Sequence, residues 1–169
     1  MSPLLFDAPI IRNCDALRNP FFIDSPLDFE YDKEKRKVVI PMEITVGMKG
    51  EAQTTAERED TAQEVGSGDL LVYATPCMVA LMEGAACNAI EDALAEGQTT
   101  VGTMLNIEHI SATPVGLEVR AEAEVTEVNG KVITFCVKAF DEAGEIGHGT
   151  HQRVMVNAQK FLDRAYAKL

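Results

Sequence analysis

The run Ala74 to Ile90, ATPCMVALMEGAACNAI, carries a single charge, on Glu83. Thr75 ahead of Pro76 reads as a helix start, with a capping residue before a proline at the first helical position. Apolar residues recur at Met78, Leu81, Met82, Ala85, Ala89, Ile90, Ala93 and Leu94 until Gly97 supplies a stop. The positions three and four away from Glu83 are Val79, Ala80, Ala86 and Cys87, so no cation of this helix can pair with the carboxylate. A helix that is apolar all round must be wrapped by the rest of the fold. A carboxylate inside it must be paired, neutralised or useful. Gly84 costs the helix about 1 kcal/mol relative to alanine, which suits close approach of a backbone or a ligand.

Strands are the material for the wrapping. Val38, Ile40, Met42, Ile44 and Val46 alternate and predict a first strand. Residues 48–68 are polar and read as a loop with room for a short helix. Four strand-like segments follow the helix. Val101, Thr103, Leu105, Ile107 and His109 share a face of the first. In the second, Leu117, Val119, Ala121, Ala123 and Val125 alternate with charged residues. Ile133, Phe135, Val137 and Ala139 mark the third, and the fourth runs from about Glu145 to Val156. Asn129-Gly130 is a hairpin turn signal, and a last helix spans roughly Ala158 to Ala167. One long buried helix followed by an antiparallel run of strands is an α+β pattern, the hotdog arrangement. The domain takes residues 38–169. Residues 1–37 mix apolar residues with Pro and Asp without a period and are expected to pack on it as an N-terminal extension.

A chain of 169 residues suits one domain with a real core. Its net charge of −12 argues against a nucleic-acid partner, though a few local Lys or Arg could hold an anionic small ligand. Cys14, Cys77, Cys87 and Cys136 are scattered, with no histidine at metal-ligand spacing. They read as thiols of a reducing cytoplasm, with no metal site. No basic segment precedes a long apolar run at the N-terminus, and Glu83 interrupts the longest apolar stretch short of a membrane span.

His109 shares parity with Leu105 and Ile107, which aims its imidazole at the helix that carries Glu83. Patterning alone is equally compatible with a working pair and with a core histidine beside a hydrogen-bonded glutamate. Thr75 is either a cap or a hydroxyl facing a site at the helix head, where backbone N–H groups favour an oxyanion. Cys77 lies in the first turn, where a thiol is acidified, but a buried structural cysteine is the commoner case. Gly144, Gly147 and Gly149 mark a turn and a strand thinned for close approach of a ligand. His148 and His151 differ in parity and make a poor metal pair. Arg153 shares parity with His151 and reads as a surface arginine or a phosphate holder.

Three blocks, ATPCMVALMEGAA, TTVGTMLNIEHISATPVG and GEIGHGTHQRV, resemble in order the fluoroacetyl-CoA-thioesterase-like branch of the hotdog superfamily, over roughly Val38 to Phe161. The resemblance implies hydrolysis of a short acyl-CoA by a homodimer, or a higher assembly of dimers. It places the family's catalytic threonine, glutamate and histidine on Thr75, Glu83 and His109, and its acyl-pocket glycine on Gly102. Pro76, Cys77 and Arg153 are assigned with Gly102 to substrate binding. Coenzyme A belongs to the substrate, so no separate cofactor is implied. Glu83 would attack the thioester or activate water, His109 would act as acid and base, and Thr75 would polarise or position the substrate. The covalent and general-base routes both stay open. The segment before Thr75, EVGSGDLLVYATP, has Gly66 and Asp69 where the fluoroacetyl-selective members place gating aromatics. Two other functions fit the pattern: a hotdog acyl-CoA hydratase or dehydratase, and a non-catalytic acyl-CoA binding module. Thr75 and Glu83 are eight residues apart, about 12 Å along a helix axis, which predicts a site shared between two subunits.

Overall fold

A computed structural model describes residues 43–169. Its elements are β1 (Lys49–Thr55), α1 (Thr75–Asn88), β2 (Gln98–His109), β3 (Glu118–Asn129), β4 (Val132–Asp141), β5 (Gly144–Asn157) and α2 (Ala158–Tyr166). All strand pairings are antiparallel, in the order β1-β3-β4-β5-β2, and α1 packs against β1, β3, β4 and β2. This is the hotdog arrangement.

Hydrophobic periodicity explains the centre of the sheet. Val119 and Val125 of β3, and Ile133, Phe135 and Val137 of β4, are fully buried and share one core with Met78 and Met82 of α1. Each such side chain contributes about 1.5–3 kcal/mol of burial. Asn129-Gly130 turns the chain between β3 and β4, with Gly130 at φ +60°.

Three features differ from the sequence reading. Of the strand expected from Val38 to Val46, positions 38–42 lie outside the described residues, and the described remainder is irregular. Ile44 is buried there, whereas Val46 sits in a turn. The strand is instead the polar KGEAQTT of β1, taken above as loop. Its inner face carries Gly50, Ala52 and Thr54 because α1 lies directly on it. A Cβ at Gly50 would overlap the Ala85 carbonyl and the Ala89 backbone. Small inner residues leave no hydrophobic alternation to read.

Second, α1 stops at Asn88, well before Gly97. A 3-10 turn over Glu91–Ala93 keeps Ile90 and Ala93 buried, so the apolar pattern outlasts the helix.

Third, the β2–β5 register shifts between Gly102 and Met104, leaving Thr103 as the extra residue of a bulge. Before the bulge Thr100 and Gly102 face α1; after it Leu105, Ile107 and His109 do. Val101 and Thr103, expected on the His109 face, therefore lie on the other side.

Candidate active site

Thr75 is held at the head of α1 by the segment that leads into it. Ala62 N–H donates to the Val72 carbonyl (2.9 Å), Tyr73 N–H to Thr113 (2.8 Å) and Ala74 N–H to Asp60 (2.9 Å). The N-cap is Ala74, which offers no side-chain cap, so Thr75 is the first helical residue and not the capping residue expected. Its hydroxyl instead pairs with His109, Thr75 Oγ1 to His109 Nδ1 at 2.9 Å. Burial pushes the His109 pKa below its ordinary value, and a backbone hydrogen bond with Ser111 pulls the other way. Where Nδ1 accepts from Thr75, the ring proton sits on Nε2, a buried atom with no hydrogen-bond partner of good geometry among the described residues. A cleft of about 290 Å³ opens beside the pair, walled by Ala62, Ser67, Val72, Tyr73 and Ser111. Gly66 and Asp69, in the loop above, are exposed.

Glu83 finds its cation on β5. Arg153 Nη1 donates to Glu83 Oε2 at 2.8 Å. The arginine is buried, 5% exposed, and not the surface residue that its type suggests. Its Nε–H donates to Thr100 Oγ1 (2.9 Å), its Nη2 to the Thr100 carbonyl (3.0 Å), and its Nη1 also reaches His151 Nε2 (3.1 Å). His151 is fully buried, with Nε2 3.8 Å from Glu83 Oε2 and its ring stacked on Phe135. Gly102 makes room for the carboxylate: a Cβ there would stand 2.6 Å from Glu83 Oε2 and 3.1 Å from His151 Cε1. Burial raises the nearby Cys87 thiol, which stays protonated near neutrality.

Within one chain, then, the residues singled out above fall into two groups. Thr75 and His109 meet at the helix head beside Pro76, which is exposed. Cys77 follows in the same turn but is buried. Glu83, Gly102 and Arg153 meet about two turns further along α1. His109 hydrogen-bonds Thr75 and not Glu83. Thr100 and His151 join the second group. His151 was weighed above only as a metal ligand, and the parity it shares with Arg153 was its signal; Thr100 had none. Gly147 and Gly149 admit the protein itself: Cβ atoms there would meet Met78 and the backbone of β2. His148 turns outward to Glu145, 2.6 Å away. No group of three or more His, Cys, Asp or Glu side chains among the described residues is arranged to hold a metal ion.

Comparison with known proteins identifies the family. The sequence profile of the fluoroacetyl-CoA-specific thioesterase family matches residues 56–159. The fluoroacetyl-CoA thioesterase of Streptantibioticus cattleyicolor is 41% identical over 90 residues, which cover 53% of this chain and 65% of that protein. The chain thus spans about two thirds of that relative. The solved structure of the fluoroacetyl-CoA thioesterase FlK aligns with a TM-score of 0.70 at 31% identity, over 75% of this chain and 98% of FlK. A thioesterase-superfamily member from Thermus thermophilus aligns at 0.68 and 29% identity, over 74% and 94% of the two chains. The chain belongs to the fluoroacetyl-CoA-specific thioesterase family.

Proposed function

We propose that the protein hydrolyses short-chain acyl-CoA thioesters to the free acid and CoA. The observation that carries this reading is the 2.9 Å contact between Thr75 Oγ1 and His109 Nδ1 at the mouth of a cleft. His109, kept neutral by burial, takes the proton of the attacking oxygen, which is Thr75 Oγ1 or a water that Thr75 holds. The carbonyl oxygen becomes an oxyanion near the positive end of the α1 dipole. Collapse of the tetrahedral intermediate breaks the C–S bond, and the departing CoA sulfur takes the proton from His109. Where water attacked, this leaves the free acid; where Thr75 attacked, a water that gives its proton to His109 then hydrolyses the acyl-threonine ester, and that proton returns to Thr75 as the acid leaves. FlK, to which the chain is similar, has been solved in variant form with acetyl-CoA and with fluoroacetate and CoA. That supports an acyl-CoA as the substrate class.

The complete site in this reading belongs to a homodimer. β2 is a twelve-residue strand at the edge of the sheet. Such an edge can pair with a second copy about a two-fold axis. α1 is apolar all round, yet Pro76, Val79, Ala80, Glu83, Gly84 and Cys87 form a stripe that the chain's own sheet leaves partly or wholly uncovered. Glu83 sits in that stripe with its side chain 33% exposed. Antiparallel packing of two such helices would set Glu83 of one copy beside Thr75 and His109 of the other, where its carboxylate would help to activate the attacking water. Thiol release, assayed across acyl-CoAs of increasing chain length, tests the activity. Fastest turnover on the shortest acyl groups is expected; no thiol release from any acyl-CoA would refute the reading.

A further inference from the structure

His151 is the buried titratable group that the proposed chemistry leaves unused. It is fully buried, and its hydrogen-bond partners dictate its state. Nδ1 lies 2.9 Å from the Met104 carbonyl, which can only accept, so Nδ1 carries the proton. Nε2 lies 3.1 Å from Arg153 Nη1, which can only donate, so Nε2 is the acceptor. The ring is therefore the neutral Nδ1–H tautomer. The remaining neighbours leave little freedom. Arg153 is the charged group beside it on its own strand, and Glu83 the one facing it from α1. β2 presents the Met104 carbonyl and β4 the ring of Phe135, neither of which titrates.

We propose that His151 is a positioning residue: its neutral Nε2 accepts from Arg153 Nη1 and so orients the guanidinium that holds Glu83. The proposal rests on Glu83 serving the hydrolysis described above. The two protons of Nη1 go to Glu83 and to His151, and Thr100 fixes the opposite edge of the guanidinium. Removing the Nε2 acceptor leaves a buried N–H of Arg153 unpaired and lets the group swing away from the carboxylate. Protonating Nε2 sets donor against donor and cation against cation. Burial opposes that protonation, keeping the pKa below its ordinary value. Met104 follows directly on the β2 bulge, so the same irregularity that faces Gly102 towards Glu83 also precedes the carbonyl that fixes the tautomer.

Two measurements on the full-length protein test this. Long-range 1H–15N correlation of the imidazoles in the wild type, with the His151 signal assigned by its loss in His151→Gln, reads the tautomer directly. The neutral Nδ1–H form is expected to persist down to about pH 6. An Nε2–H tautomer, or a ring already protonated at that pH, overturns the proposal. In the kinetic arm, His151→Phe removes the acceptor and His151→Gln keeps an oxygen that can replace it. The Phe variant should lose about tenfold or more in kcat with KM changed less than about threefold, and the Gln variant should stay within about threefold of wild type. A Phe variant as active as wild type, or equal losses in both variants, overturns it. If His151→Phe does not fold, the wild-type spectrum and His151→Gln decide. Absence of thiol release by the wild type would sink the hydrolase reading instead, and the spectrum would still decide the tautomer.

Discussion

Thr75 and Glu83 stand on one helix about two turns apart, and their surroundings differ in kind. Thr75 is exposed, with one side-chain hydrogen bond to His109 and an open cleft beside it. Glu83 faces Arg153, and that guanidinium is itself held by Thr100 and His151 from two neighbouring strands. The first region has room for a reacting molecule and few constraints. The second is a polar network built around a buried guanidinium, in which a Cβ at Gly102 would crowd the carboxylate. Preorganised charge is useful where the chemistry needs a fixed carboxylate, and an open cleft where substrate must enter and leave. In the proposed function the two regions are two halves of one site, completed by a second chain.

The sharpest way to break the comparison is to remove the open half. Thr75→Ala and His109→Ala should each lower kcat about a hundredfold or more with melting temperature nearly unchanged, because neither residue carries core packing. The double variant should be little worse than either single one, since the proposed mechanism uses the two as a unit. Near wild-type turnover in either single variant would remove the pair from the mechanism.

The closed half should respond through stability as well. Gly102→Ala puts a Cβ 2.6 Å from Glu83 Oε2, and the carboxylate or β2 must move. Overpacking of this kind costs about 1–3 kcal/mol, and denaturant unfolding should show it together with a drop in thiol release. Unchanged stability and activity would mean that the network is looser than its geometry.

Acid should act on both halves. His109 and His151 have folded pKa values lowered by burial, so the unfolded chain binds more protons below the ordinary histidine value of 6.5. The stability contributed by burying neutral imidazoles is present above that value and declines as pH falls through the window beneath it. kcat/KM should follow, with an acid limb centred below 6.5, because the proposed mechanism uses His109 as the neutral base. Urea unfolding and initial rates between about pH 4.5 and 8 check both signs. An acid limb centred above 6.5 would contradict the burial of His109.

The smallest effect concerns substrate choice. With Gly66 and Asp69 exposed in the loop above the cleft, fluoroacetyl-CoA should be preferred over acetyl-CoA by well under a hundredfold in kcat/KM. A hundredfold preference, about 2.7 kcal/mol in the transition state, would assign selectivity to residues other than that loop.

The sequence disclosed these regions unequally, for physical reasons. β3 and β4 were legible because one face of each meets the core and the other meets water, so their residues alternate, and Asn129-Gly130 marks the turn between them. β1 was not, because α1 presses so close that its inner residues must be small rather than apolar. The start of α1 and the odd carboxylate on it were plain. The partner of Glu83 was not, since Arg153 is 70 residues away and strand parity assigns a face without naming an opposite residue. The bulge at Thr103 had no local signature. It brings Gly102 and His109, of opposite parity, onto one face, and it displaces Val101 and Thr103 from the face that simple alternation predicts.

Whether the two halves meet across a two-fold axis can be measured by subunit exchange. Thr75→Ala and Glu83→Gln chains, purified separately, should each be nearly inactive. In a mixed dimer one site receives both intact residues from opposite chains and the other receives neither. The account predicts recovery of about half the wild-type rate of thiol release per mixed dimer. If exchange is demonstrated by mass and the rate stays at that of the inactive parents, Thr75 and Glu83 do not complete one another across the dimer, and the shared-site account is wrong.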